Sequence, residues 1–161
     1  MLVRSDIDAI DAKILALLQD DASLSVADIA AKVGLSSSPC WRRIKRLEED
    51  GIISTSVTIL NRELLGLNFE VFVAVKLDRP TRTNLREFEA IVRDLPEVLE
   101  CATVTGAVDY ILRVVTTDMH TYDDFLRDKI LSMDLVQTAL SRIVIRSVKD
   151  SSALPLYLIE K

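Results

Sequence analysis

The chain holds little of the material from which catalytic and metal centres are made. One histidine, His120, stands among 161 residues, and the two cysteines, Cys40 and Cys101, lie 61 positions apart in segments of apolar pattern. A zinc centre needs several imidazole nitrogens or a cluster of thiolates, which this inventory does not assemble locally, and two distant thiols do not make a disulfide scaffold. No glycine-rich phosphate loop and no group of carboxylates on one predicted face accompanies the histidine, so an enzyme is not expected, nor any metal or cofactor. His120 reads as a surface residue. Cys40 reads as a packed core thiol, with an oxidant-sensitive thiolate beside a basic helix as the lesser alternative. The longest stretch free of charged residues spans eleven positions, 51–61, far short of the ~20 apolar residues of a membrane-spanning helix. The first eleven positions carry three aspartates and lack the basic-then-apolar order of a secretory signal. A cytoplasmic location without a membrane partner is the expectation.

What is present suits one or two small globular domains: 49% of positions are hydrophobic and 28% charged. The net charge of −5 taken alone argues against nucleic acid, but its distribution along the chain matters more than its sum. Ile10, Ile14, Leu17 and Leu18 recur at helical spacing and predict a first helix that ends near Asp21. Ser25, with Asp28 in the capping-box position, opens a second helix that carries Val26, Ile29, Ala30 and Val33 on one face. Gly34 stops it, Ser36, Ser37 and Ser38 supply N-cap oxygens for a third, and Pro39 fits the first turn of that helix.

The third helix turns Cys40, Ile44 and Leu47 inward. Arg42, Arg43, Lys45 and Arg46 place four positive charges within five residues, followed by Glu48, Glu49 and Asp50. Acidic groups at a helix C-terminus oppose the macrodipole, so helix stability does not account for this polarity. Gly51 ends the helix, and IISTSVTIL (52–60) reads as a strand. Three short helices with a basic third and a glycine-led strand outline a winged helix-turn-helix. Its third helix would enter the major groove of double-stranded DNA, with serine hydroxyls and N-terminal amides on the phosphate backbone. Ser36, Ser37 and Ser38 are assigned to backbone positioning, Arg42, Arg43 and Arg46 to bases or phosphates, and Pro39 and Lys45 to the same surface. Trp41 reads as a packing or backbone-contact residue. A basic run of this kind is also how a merely solvated helix face looks, so the assignment depends on those cations being free to meet DNA.

Beyond Asn61 the pattern changes. Residues 68–78 alternate as a strand, with Phe69, Val71, Val73, Val75 and Leu77 on one face and Phe72 and Ala74 on the other. Thr83 is positioned to cap a helix bearing Leu85, Phe88, Ile91, Val92 and Leu95, closed by Pro96. Strands over 98–105 and 109–117 meet at Gly106, Ala107 and Val108; a helix with Tyr122, Phe125, Leu126, Ile130 and Met133 inside follows, then a last strand over 138–148. The order β-α-β-β-α-β is that of a ferredoxin-like sandwich, four antiparallel strands with both helices on one face. The class is α+β, with residues 1–62 forming the winged helix-turn-helix and linker strand and 63–161 the ferredoxin-like domain. The uncovered sheet face presents apolar residues and predicts a homodimer, which would read a roughly palindromic site. The apolar tail around Pro155 packs on that interface or hangs free.

IDAIDAKILALLQDDAS, SVADIAAKVGLS, SSSPCWRRIKRLEEDGII and LECATVTGAVDYILRV, in this order and spacing, resemble the Lrp/AsnC family of feast/famine transcriptional regulators over nearly the whole chain. The resemblance implies a DNA-binding regulator, dimers that assemble into octamers or similar discs, and an amino acid as effector bound between dimers. GAVDY, Gly106 to Tyr110, looks like the family's effector loop. A zwitterion needs donors for its carboxylate and acceptors for its ammonium: Thr103 and Thr105 offer hydroxyls, Gly106 a close backbone approach and Asp109 a negative charge, alongside Ala107, Val108 and Tyr110. By the same resemblance Met119, Arg142, Ile143 and Val144 lie near the effector or the dimer–dimer contact. From the residues alone an ordinary hairpin turn is the favoured reading of Gly106 and Asp109, and it is the resemblance that turns the reading toward an effector loop. The small Ala107–Val108 pair points to an aliphatic or sulfur-containing effector, and Asp134–Leu135 replaces a frequent Pro-Gly turn. A ligand-independent architectural DNA protein is the alternative function.

Overall fold

The computed structural model describes residues 7–159; the expectation drawn from the first eleven residues, the absence of a signal segment, rests mostly on residues outside these. The chain divides into two compact units. One takes the chain up to Ile59 together with the tail from Lys149, and the other runs from Leu60 to Val148. The sequence predicts a division after residue 62 with the tail in the second domain; by contacts the units part between Ile59 and Leu60 and the tail from Lys149 groups with the first.

The first unit is built on three helices, α1 (Ala9–Asp20), α2 (Val26–Val33) and α3 (Ser37–Glu49). Asp8 caps α1, accepting from the Ile10 and Asp11 N–H groups, while the Asp11 carboxylate accepts from the Asp8 N–H, a reciprocal capping box. Ser25 caps α2 through the Asp28 N–H, as expected. Gly34 closes α2 at φ +74°, and the Leu35 N–H returns to the Ala30 carbonyl at 2.9 Å. An L-residue in that left-handed conformation costs ~1–2 kcal/mol; Gly34→Ala is expected to lower the stability of this unit by about that amount in urea unfolding. Ile14, Leu15, Ile29, Ala30, Cys40, Ile44 and Leu47 form the core, with Leu156 of the tail packed against it. The tail is also held by its backbone: the Leu154 N–H donates to Gln19 Oε1 at 2.7 Å and the Gln19 amide donates back to the Leu154 carbonyl at 3.3 Å.

Two expectations fail here. Ser36 occupies the N-cap of α3 but makes no side-chain capping bond. The segment 52–60 forms no strand, so the wing is absent from the single chain. A strand needs a partner for its N–H and C=O groups and a face to bury, and Val57, Ile59 and Leu60 are all exposed.

The second unit holds a four-stranded antiparallel sheet of order β2-β3-β1-β4, from β1 (Phe69–Leu77), β2 (Val98–Thr103), β3 (Tyr110–Thr116) and β4 (Val136–Ile143). Helix α4 (Arg82–Arg93) and helix α5 (Met119–Phe125), which continues into a wider π turn over Leu126–Leu131, share a core with one sheet face. This is the expected ferredoxin-like arrangement. The alternation of β1 sends Val71, Val73, Val75 and Leu77 into that core beside Phe88, Val92, Tyr110, Leu112, Tyr122 and Ile130. Thr81, not Thr83, caps α4 by accepting from the Asn84 N–H at 3.2 Å. The last strand starts at Val136 and stops at Ile143, not at 148. Asp134 and Leu135 lie in a turn closed by the Val136 N–H on the Met133 carbonyl.

The other sheet face is less apolar than the alternation suggests. Phe72 and Leu140 are exposed, but Ala74 is buried, and the same face carries an ionic row. Arg62 and Arg113 both pair with the buried Glu70, at 2.8 and 3.2 Å, and Arg113 pairs with Glu100 at 2.8 Å.

Candidate functional site

Helix α3 follows α2 across the Gly34 turn, and its buried stripe of Cys40, Ile44 and Leu47 fixes which side meets solvent. At ~100° per residue, Ser38, Arg42, Lys45 and Glu49 fall opposite that stripe and Trp41 on its flank, and all five are exposed. Ser36 and Ser37 are exposed at the N-terminus, and Pro39 is half-buried. Trp41 is 50% exposed, so it is not a packing residue of this unit. Arg42 has no ionic partner among the described residues. Lys45 pairs with Glu48 at 2.7 Å on the surface, which raises its pKa and gives the acidic end of α3 a role the sequence left unexplained.

Arg43 and Arg46 behave differently. Both turn to α1: Arg43 Nη1 lies 2.7 Å from Asp8 and 2.8 Å from Asp11, and Arg46 Nη2 bonds the other Asp11 oxygen. The Asp11 side chain is 0% exposed. A buried carboxylate needs charged partners, and these two guanidinium groups are the ones α3 offers. The hydrogen bond to Asp11 holds the Arg43 pKa up, with Asp8 adding to it. The Asp11 N–H, seconded by Arg43, keeps the Asp8 carboxyl below the usual range. Two of the four cations expected to face DNA are thus drawn to the start of α1, a third, Lys45, pairs with the exposed Glu48 along α3, and Arg42 alone has no ionic partner among the described residues. Sequence reading missed Asp11, although a signal was there: it sits three and four positions before Ile14 and Leu15, a charge on the buried stripe. Cys40 is fully buried, and desolvation pushes its thiol pKa up, opposite to the activation a redox sensor requires. His120 is exposed, as expected.

The expected effector residues do not gather in one chain. Thr103 ends β2, Thr105, Gly106 and Ala107 form an exposed turn, Val108 and Asp109 are half-buried, and Tyr110 is buried at the start of β3. Gly106 has φ +124° with open space where a Cβ would stand, so backbone conformation and not close approach explains it in the single chain. The Asp109 carboxylate accepts from the Leu77 N–H at 2.8 Å, and the Asp109 N–H donates to the Val75 carbonyl at 2.9 Å, which ties the turn to the end of β1. Tyr110 donates to Glu89 at 2.9 Å; burial, with Glu89 adding to it, drives its pKa well above the ordinary value. Met119 opens α5 and is exposed, as are Arg142 and Ile143 on β4, while Val144 is half-buried just after it. Tyr110 lies opposite Val75 and Ile143 opposite Val71, about 13 Å apart along β1 at ~3.3 Å per residue. The turn and the second group therefore occupy opposite ends of the sheet. Two surface grooves lie elsewhere, one between α1 and the tail and one lined by Asn84, Glu87, Ile91 and residues 132–135.

Family models place these features. Residues 7–54 match a winged helix-turn-helix DNA-binding model and residues 70–154 match the Lrp/AsnC ligand binding domain. The chain belongs to the Lrp/AsnC family. Among curated Lrp/AsnC relatives, it is 41% identical over 152 residues to the Bkd operon transcriptional regulator of Pseudomonas aeruginosa, covering 94% of this chain and 99% of that one. It is 37% identical over 150 residues to the DNA-binding transcriptional activator DecR of Escherichia coli, covering 93% and 99%. A transcriptional regulator of Neisseria meningitidis, solved as a complex with L-methionine, superposes with a TM-score of 0.91 at 38% identity, over 94% of this chain and 98% of that one. This Lrp/AsnC protein is accordingly a DNA-binding transcriptional regulator controlled by a small-molecule effector. Among its described residues no helix is long and apolar enough to cross a membrane.

Proposed function

We propose that this regulator reads duplex DNA with the solvent face of α3 and responds to an amino acid held between copies of the chain. The observation that carries the first part is the placement of Ser38, Arg42 and Lys45 on one exposed face, flanked by the exposed Trp41 and opposite a stripe buried in the core of the three helices. Ser36, Ser37, Ser38 and Pro39 approach the phosphate backbone, and Arg42 and Lys45 meet bases or phosphates, in a dimer that spans two half-sites. The effector surface combines Thr103, Thr105 and Gly106 to Tyr110 with Met119 and Arg142 to Val144. Because the two groups sit at opposite ends of one sheet, copies of the chain must bring them together. Dimers assembling into a larger ring such as an octamer meet that requirement, in the cytoplasm where DNA and free amino acids coexist. The likeness to a regulator solved with L-methionine and the apolar Ala107–Val108 pair support an aliphatic or sulfur-containing amino acid.

A thermal-shift screen with the twenty amino acids, on a sample of mass known from light scattering, tests this. A ligand at 100 times its Kd stabilises by ~2.7 kcal/mol, a rise of several degrees for domains of this size. Stabilisation by methionine or a branched aliphatic amino acid is expected. No shift with any of the twenty would overturn the effector assignment in favour of a ligand-independent architectural role.

A further inference from the structure

The two arginines turned toward α1 bear on how the protein discriminates among DNA sequences. Arg43 and Arg46 stand on the flank of α3, and Asp8 and the fully buried Asp11 take up part of their donor capacity. The guanidinium groups are not sealed in: the Arg43 and Arg46 side chains remain 28% and 46% exposed. A phosphate that approached them would have to compete with two carboxylates already in place, one of them unable to turn to water. Arg42, one residue away, has no such competitor among the described residues.

We propose that Asp11 is a positioning residue for DNA recognition, an internal competitor that withholds Arg43 and Arg46 from the phosphate backbone and leaves Arg42 and Lys45 as the basic residues of α3 that reach DNA. The inference rests on the reading of α3 as the DNA-contacting helix and adds a consequence. Phosphate attraction is blind to sequence and dominates non-specific binding, whereas discrimination comes from the difference between specific and non-specific affinity. Four unpaired cations on one short helix would tighten binding to every duplex. Holding two of them on a buried carboxylate lowers that background without moving the helix, whereas the Lys45–Glu48 pair is exposed on both sides and opens to solvent at little cost.

The test compares the full chain with Asp11→Asn, whose amide oxygen keeps the Asp8 capping bond. Binding is measured from 50 to 300 mM salt on a duplex selected by the wild-type chain from a random library, and on a scrambled duplex of equal composition. Each phosphate neutralised contributes ~0.9 to the slope of log K against log salt. Asp11→Asn frees Arg46, which is expected to steepen the slope by about 0.9; Arg43 keeps Asp8 and adds to this, to at most about 1.8 in all, only as phosphate displaces that half-exposed carboxylate. Binding to the scrambled duplex tightens at least threefold at low salt, and the preference for the selected duplex falls. A purely structural role would weaken binding to both duplexes at an unchanged or shallower slope, and that result overturns the proposal.

A second variant, Asp11→Asn with Arg43→Gln and Arg46→Gln, removes the buried carboxylate and both arginine charges together and leaves only the half-exposed Asp8 without its ionic partner. Its slope is expected to match the wild type within about 0.4; a fall of about 1.8 would mean that both arginines already contact phosphates and would also overturn the proposal. Arg42→Ala with Lys45→Ala separates the two levels. If that pair of substitutions weakens binding while Asp11→Asn does not steepen the slope, α3 remains the DNA-contacting helix and only the role of Asp11 is lost. If the pair has no effect, the reading of α3 fails and the role of Asp11 with it.

Discussion

Arg42→Ala combined with Lys45→Ala is expected to weaken binding to a selected duplex by about 30- to 1,000-fold while leaving the unfolding midpoint in place. Both side chains project from the face of α3 opposite Cys40, Ile44 and Leu47, and both are exposed. A base contact of good geometry is worth ~1–3 kcal/mol of discrimination, and each lost phosphate contact removes about one from the salt slope. Two such losses, one directional and one electrostatic, combine to ~2–4 kcal/mol, which is the fold-change stated. Stability should hardly move, because among the described residues the only ionic contact removed is the surface pair between Lys45 and Glu48, and exposed pairs contribute little. Fluorescence anisotropy against salt checks the first half and urea unfolding the second. An unchanged affinity would place the DNA contact on another part of the chain.

Phe88→Ala is expected to cost the second unit ~3–5 kcal/mol. The ring is fully buried between α4 and the sheet, with its centroid 4.6 Å from that of Tyr110. Removing it takes away the burial of a large apolar side chain and leaves a cavity beside β3 that a packed core does not refill. Tyr110 would keep its bond to Glu89 but lose the ring that confines it. Against a typical total of ~5–15 kcal/mol, a loss of this size is large. The core around Val71, Leu112 and Ile130 is distinct from that around Ile14, Cys40 and Leu47. Urea unfolding should therefore show an early transition attributable to the sheet unit, with the helices of the first unit melting later. A single unshifted transition would count against two independent cores.

Much of this architecture was legible because it is local. Ser25 with Asp28, Gly34 after Val33 and the two-residue period of β1 each announce themselves within a few positions, and the element order then leaves few topologies. The features that escaped depend on distance along the chain or on another copy. Asp11 meets Arg43 and Arg46 from 32 and 35 positions away, and no window of sequence shows both ends of that pair. Ser36 looks like a capping residue by type, yet its hydroxyl makes no capping bond. The 52–60 segment carries the β-branched residues of a strand, but composition cannot supply the neighbouring backbone that a ladder requires. The effector residues were named through family likeness, and only the register of β1 with β3 and β4 revealed that they face away from each other along the sheet.

The return of residues 149–159 to α1 has a consequence for synthesis. Every strand of the sheet leaves the ribosome before Leu154 and Leu156 do, so the unit begun first is finished last. A chain cut after Val148 would hold all four strands of the sheet and a helical unit missing the segment that hydrogen-bonds to Gln19.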